Sequence, residues 1–169
     1  MRLRSAFGLA ALLLMACSCS DMFGDQEAVP GVDQGSFAVV GSLASNTCGD
    51  GAFSVVDPFE FDMQLSKADS KLYWSKGSDY IEGTIASNGT TFSISSSVAV
   101  QYSTSCALQR KDSLKGTLVV KNDKIVSYTG TLTYSFSQVQ GSRCDAVLAE
   151  QSVTQIPCSI QYSVSATPK

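Results

Sequence analysis

The chain contains no histidine. That absence removes the side chain that most often acts as general base near neutral pH, and one of the commonest zinc ligands. Ser-His-Asp and Cys-His catalysis are excluded, and an enzyme built on this sequence is restricted to carboxylate, lysine or tyrosine chemistry. Charge is sparse, with 12 Lys and Arg against 15 Asp and Glu. Nothing basic is left over to attract a phosphate backbone, so nucleic acid is not an expected partner. The six cysteines include no C-x-x-C pair, which argues against a structural zinc site. Long apolar runs are missing too: the stretch from Ala6 to Met15 is too short to span a bilayer as a permanent helix. The composition calls for no cofactor and no metal.

That short run follows Arg2 and Arg4 and leads into Leu14-Met15-Ala16-Cys17. A basic start, an apolar core and a small residue are the parts of a signal peptide in their usual order. Leu14 at −3 and Ala16 at −1 before Cys17 resemble the lipobox of bacterial lipoproteins. The resemblance implies a thioether-linked diacylglycerol on Cys17, cleavage after Ala16 and acylation of the new amino group. One acyl chain, at about 0.8 kcal/mol per buried CH₂, holds only marginally, whereas two or three on one cysteine hold firmly. Ser18 after the lipidated position resembles the outer-membrane sorting pattern of enteric bacteria. The expected location is the cell envelope, lipid-anchored, with the outer membrane favoured.

Losing residues 1–16 removes Arg2 and Arg4, leaving 10 basic residues against 15 acidic ones and a formal net charge of −5. The remaining length suits one domain with a real core. Residues 17–36 read as the lipidated cysteine and a flexible acidic tether: the stretch SCSDMFGDQEAVPGVDQGS has no sustained period, four acids and no base. The domain is expected over 37–169.

There, apolar residues alternate with polar ones. Phe59, Phe61, Met63 and Leu65 interleave with Glu60, Asp62 and Gln64, and Leu132, Tyr134 and Phe136 with Thr131, Thr133 and Ser135. Period two with one dry face points to antiparallel sheet. Eight strands are expected at 37–44, 59–66, 71–75, 80–87, 90–102, 114–121, 124–137 and 156–165, with Asn88-Gly89 and Asn122-Asp123 as two-residue hairpin turns. A short helical turn fits 144–152. Gly-x-Leu or Gly-x-Ile triplets at Gly41, Gly83, Gly116 and Gly130 sit inside strands, where glycine marks a bend or a close backbone approach. The expected fold is all-β, an eight-stranded antiparallel meander barrel of lipocalin-like type, with a two-sheet sandwich as the alternative.

Export favours disulfides among Cys48, Cys106, Cys144 and Cys158. Four cysteines allow three pairings; Cys48–Cys106 with Cys144–Cys158 is the expected one, because the second bridge would clamp the long loop before the last strand. Cys19 is left over beside the lipid. Tyr73, Trp74, Lys76 and Tyr80 form the densest aromatic and basic stretch and are the candidate binding residues. Trp74-Ser75-Lys76-Gly77 resembles the Trp-x-Lys-Gly of small lipoprotein barrels that inhibit C-type lysozymes, although the Ser-Gly-x-x-Tyr that precedes it there is absent. Glu60, Asp62 and Glu82 are the carboxylates a glycosidase would need, but their alternation with Phe59 and Phe61 marks a solvated face. Asp50 and Asp57 read as turn residues. The sequence thus describes a non-catalytic, membrane-anchored β domain that binds a small apolar ligand or, alternatively, another envelope protein, including a hydrolase that it inhibits.

Overall fold

A computed structural model describes residues 29–77 and 79–169. The expected signal peptide, Cys17, Cys19 and the first part of the tether lie outside the described residues. Eight strands form a closed antiparallel barrel in which chain neighbours are spatial neighbours and the last strand pairs with the first. They are β1 (Val32–Asn46), β2 (Phe59–Ala68), β3 (Lys71–Lys76), β4 (Asp79–Ile85), β5 (Thr91–Ser103), β6 (Cys106–Lys121), β7 (Lys124–Gln138) and β8 (Cys158–Pro168). This is the expected meander barrel, and closure through β1 and β8 rules out the sandwich. A 3-10 turn at Ala52–Ser54 interrupts the β1–β2 loop, and one helix, α1 (Asp145–Glu150), lies where the helical turn was read.

The alternation maps directly onto the barrel wall. Phe37, Val39, Met63, Leu65, Phe92, Ile94, Leu114, Leu132 and Val164 are buried in one core, and their strand neighbours are mostly Ser, Thr, Lys and Gln facing outward. A polar outside around an apolar inside is the reverse of a membrane-spanning barrel.

The two ends differ. Tight turns at Asp69-Ser70 and Asn122-Asp123, the loop 86–90, and both ends of the described chain gather at one end. Asn122 and Asp123 both have positive φ, at 50° and 60°, the conformation of the expected two-residue hairpin turn. The Asn88-Gly89 connection is longer than expected, because β4 stops at Ile85 and β5 starts at Thr91. Gln34 plugs this end: its side-chain oxygen accepts the Ile125 backbone N–H at 3.1 Å. The residues from Val32 to Ser36, expected as tether, are therefore the first part of β1.

The opposite end carries the loops 47–58 and 139–157. Strand heights are unequal there. Across the β4–β5 seam the strands pair from Gly83 to Ile85 against Phe92 to Ile94, whereas β5 pairs with β6 along all of Thr91 to Ser103. The β5–β6 hairpin therefore rises above the short β3–β4 hairpin and leaves a notch in the wall.

The sulfurs pair as Cys48–Cys158 and Cys106–Cys144, which corrects the expected pairing. The reason is barrel closure. Asn46 is in register with Ile160, and the Thr47 N–H donates to the Ser159 carbonyl at 2.8 Å. Cys48 and Cys158 therefore meet across the closing seam with Cα atoms 4.9 Å apart. Cys106 opens β6, and the chain leaving the adjacent β7 delivers Cys144 to it. The bridges close spans of 110 and 38 residues, contributing about 5 and about 4 kcal/mol on the chain-entropy account.

Gly116 and Gly130 face each other on β6 and β7. A Cβ on Gly116 would strike the Thr129 carbonyl oxygen and lie 3.0 Å from the Phe92 ring, so the expected close approach is real. Gly89, with φ of 73°, has open space around it. Gly116→Ala is expected to lower unfolding stability by about 3 kcal/mol, and Gly89→Ala by about 1 kcal/mol, as an unfavourable turn conformation alone. Urea denaturation of the two variants checks the contrast, and equal losses would show that the barrel interior can spread to admit the extra carbon.

Candidate cup at the open end of the barrel

Inward positions on β6 follow a two-residue step from Leu114 through Asp112 and Arg110 to Leu108. Two of these positions carry charge. Because Arg110 and Asp112 are two apart on one strand, they share a face and form a bidentate pair. Arg110 Nε and one Nη each donate to Asp112 at 2.7 Å. The Asp112 side chain is nearly buried and Arg110 is partly open, with 12% and 38% of their side-chain surfaces exposed. The guanidinium also lies over the Tyr134 ring, 4.7 Å from its centre. The Asp112 hydrogen bond raises the arginine's pKa further, and its charge is secure.

Around this pair, aromatic rings form two walls of a cup. Phe59, Tyr134 and Tyr162 make one: Phe59 lies 5.1 Å from Tyr162, and edge-on to Tyr134 at 6.1 Å. Phe53, Phe136 and Tyr102 make the other, with Phe53 stacked on Phe136 at 4.1 Å and tilted toward Tyr102 at 6.3 Å. The enclosed volume is about 270 Å³. A larger hollow of about 460 Å³ lies outside the barrel, lined mostly by Ser97, Gln109, Lys111, Ser135 and other polar side chains. It has no converging aromatic walls.

The rim is held under strain. Phe53 and Ser54 both adopt left-handed backbone, with φ of 53° and 54°, at a cost of about 1–2 kcal/mol each for residues with a Cβ. Two contacts hold this conformation: the Phe53–Phe136 stack, and the Phe53 N–H donated to the Gln151 carbonyl at 3.1 Å. Gln151 belongs to the loop anchored by Cys144 and Cys158, so both disulfides brace the rim. Strained backbone concentrates at functional sites.

Burial pushes the Tyr134 phenol up to about 12, with Asp112 adding to the shift and Arg110 opposing it. Tyr162 is raised in the same direction by burial, and the nearby Asp57 reinforces it. Below the cup, Tyr128 is raised strongly by burial and donates its hydroxyl to the Met63 sulfur at 2.9 Å.

The binding residues expected from sequence lie elsewhere and do not form one site. Trp74 points inward, in register with Leu65 and Ile81, and packs on Phe61 at 5.7 Å. Lys76 caps it from 4.3 Å. Tyr73 and Tyr80 alternate with these inward residues and pack edge to face at 5.4 Å on the other side of the sheet, where Tyr73 is buried and Tyr80 half-buried. The carboxylates weighed for catalysis are also external: Asp62 pairs with Lys169 at 2.7 Å and Glu82 with Lys71 at 2.9 Å, while Glu60 is exposed. Asp57 accepts the Leu43 N–H at 3.2 Å in its turn.

Sequence reading missed the cup because its central pair interrupts the alternation that defines β6, which was expected to begin at 114 and begins at Cys106. The available signal was that Arg110 and Asp112 keep step with Leu108 and Leu114.

The folded state favours the neutral Tyr134 phenol. Its contribution is complete below pH 10, the unfolded value, and disappears as the pH rises toward 12. Tyr134→Phe is expected to delete one late step from the phenolate absorbance titration and to flatten the loss of stability between about pH 10 and 12. Loss of a step near pH 10 instead would place Tyr134 in contact with water. No protein-family model, curated protein or solved structure matches the chain.

Proposed function

We propose that this protein is a non-catalytic, lipid-anchored barrel of the cell envelope, tethered through Cys17, that binds a small, largely apolar ligand in the cup at its open end. The observation that carries this reading is the convergence of six aromatic side chains on one arginine around a cavity of about 270 Å³. Concave apolar pockets with a few fixed polar groups are the usual form of a small-molecule site. The barrel below the cup is filled by its own side chains, so the ligand sits at the mouth rather than along the axis. The anchor rests on the Leu14-Met15-Ala16-Cys17 motif.

Mass spectrometry of the full chain expressed in a bacterial envelope tests both parts. Under denaturing conditions the polypeptide should begin at Cys17 and carry a diacylglyceryl mass; a chain cleaved elsewhere and unmodified removes the anchor. Under native conditions a reproducible small mass should accompany the wild type and be lost in Val56→Trp, which fills the rim from an exposed position. A bound mass indifferent to Val56→Trp would move the ligand out of the cup.

A second reading, interaction with another envelope protein, is favoured by β5. From Ser95 to Ser103 it is paired with β6 and, among the described residues, has no strand on its other side. The stretch has no charge, proline or glycine, and Val98 is exposed. Native edges are normally guarded by such residues, and an unguarded one is suited to strand addition. Under this reading, Val98→Lys abolishes recovery of a cross-linked envelope partner while leaving the unfolding midpoint nearly unchanged. Recovery at the wild-type level dismisses it.

A further inference from the structure

We propose that the ligand of the cup is a small aromatic carboxylate, its ring stacked between the two aromatic walls and its carboxylate seated on the free end of Arg110. This inference rests on the cup being a ligand site and specifies the chemical class it takes.

Arginine has five N–H donors in a rigid fork. Asp112 takes one from Nε and one from Nη. The remaining donors lie at the end of the guanidinium and have no hydrogen-bond partner among the described residues. Arg110 lines the cup, and these donors are the polar atoms it has to offer a ligand there. A carboxylate accepts two parallel N–H bonds from such an end, a geometry that lysine or a single amide cannot offer. The stack on Tyr134 and the Asp112 bond hold the guanidinium in place beforehand, so little freedom is lost when a ligand arrives.

Charge narrows the class. Asp112 already offsets the arginine's single positive charge. A monoanion completes a carboxylate–guanidinium–carboxylate row, whereas a dianionic phosphate would bring a second negative charge toward Asp112 with no further cation in the cup lining. Size and shape narrow it further. About 270 Å³ is below the roughly 300–1,000 Å³ of ordinary drug-sized pockets, enough for one or two fused rings but not for a long acyl chain. Six aromatic side chains favour offset or edge-on contacts with another ring.

The test is calorimetric titration of the full lipidated chain in detergent micelles with phenylacetate and indole-3-acetate, each against its neutral amide, with empty micelles as blank. The acids should bind at least about tenfold more tightly than the amides, as expected of a charge-assisted bidentate pair. The double variant Arg110→Gln with Asp112→Asn keeps a hydrogen-bonding pair without charge. It should bring the acids down to the amides' level, so that the acid-over-amide preference falls from at least about tenfold to about one. Equal binding of acid and amide to wild type, both lost in Val56→Trp, overturns the carboxylate while the cup stands. If neither binds and a co-purified mass is still displaced by Val56→Trp, the carboxylate class again fails alone. Binding that Val56→Trp does not touch overturns the cup itself, and the carboxylate proposal with it.

Discussion

An eight-stranded barrel encloses little more space than its own inward side chains require, and this limit on volume governs the molecule. At the closed end, Phe37, Phe92 and Tyr128 crowd together, with Phe92 edge-on to Tyr128 at 5.4 Å. They fit because the wall beside them gives up its own side chains at Gly116 and Gly130. At the other end the strands rise to different heights, the walls are loops, and the aromatics line a space instead of filling it. One pattern of alternation thus produces a solid lower half and an open upper half.

The upper half depends on covalent and polar bracing. The 47–58 and 139–157 loops supply much of the rim, and loops carry few cooperative contacts of their own. Cys48–Cys158 ties the first loop to the closing seam, and Cys106–Cys144 ties the second to the start of β6. The Arg110–Asp112 pair then sits where the apolar core ends and water begins. Fully buried, it would carry a large desolvation penalty; fully exposed, it would contribute little. Its half-open position keeps the guanidinium both fixed and accessible.

Most of the barrel was legible because one-sided burial imprints a period of two, and all eight strands were found within a few residues of their observed ends except at β1 and β6. Both exceptions have a physical cause. Val32 to Ser36 contain Gly35 and the polar Gln34, whose burial is satisfied by a distant backbone amide on β7, a contact that no local pattern reveals. Residues 106 to 113 carry charge at inward positions, so the period hides them. The disulfide pairing was opaque for a related reason: it follows from which strands meet at closure, a long-range property. Trp74 drew notice as the only tryptophan, but it is a packing residue; the cup is assembled from six separate stretches of chain, none conspicuous alone.

The direction in which the chain enters the barrel has a bearing on geography. Pro30 accepts a hydrogen bond from the Ser66 hydroxyl at 2.6 Å, which places the entering segment beside the end of β2, at the pole opposite the cup. With the anchor proposed at Cys17, 12 residues lie between the lipidated position and Pro30. Under that proposal the filled end is the one nearer the bilayer, and the mouth opens toward the aqueous compartment. A molecule dissolved in that compartment meets the cup directly, whereas one arriving from within the lipid must first leave the membrane.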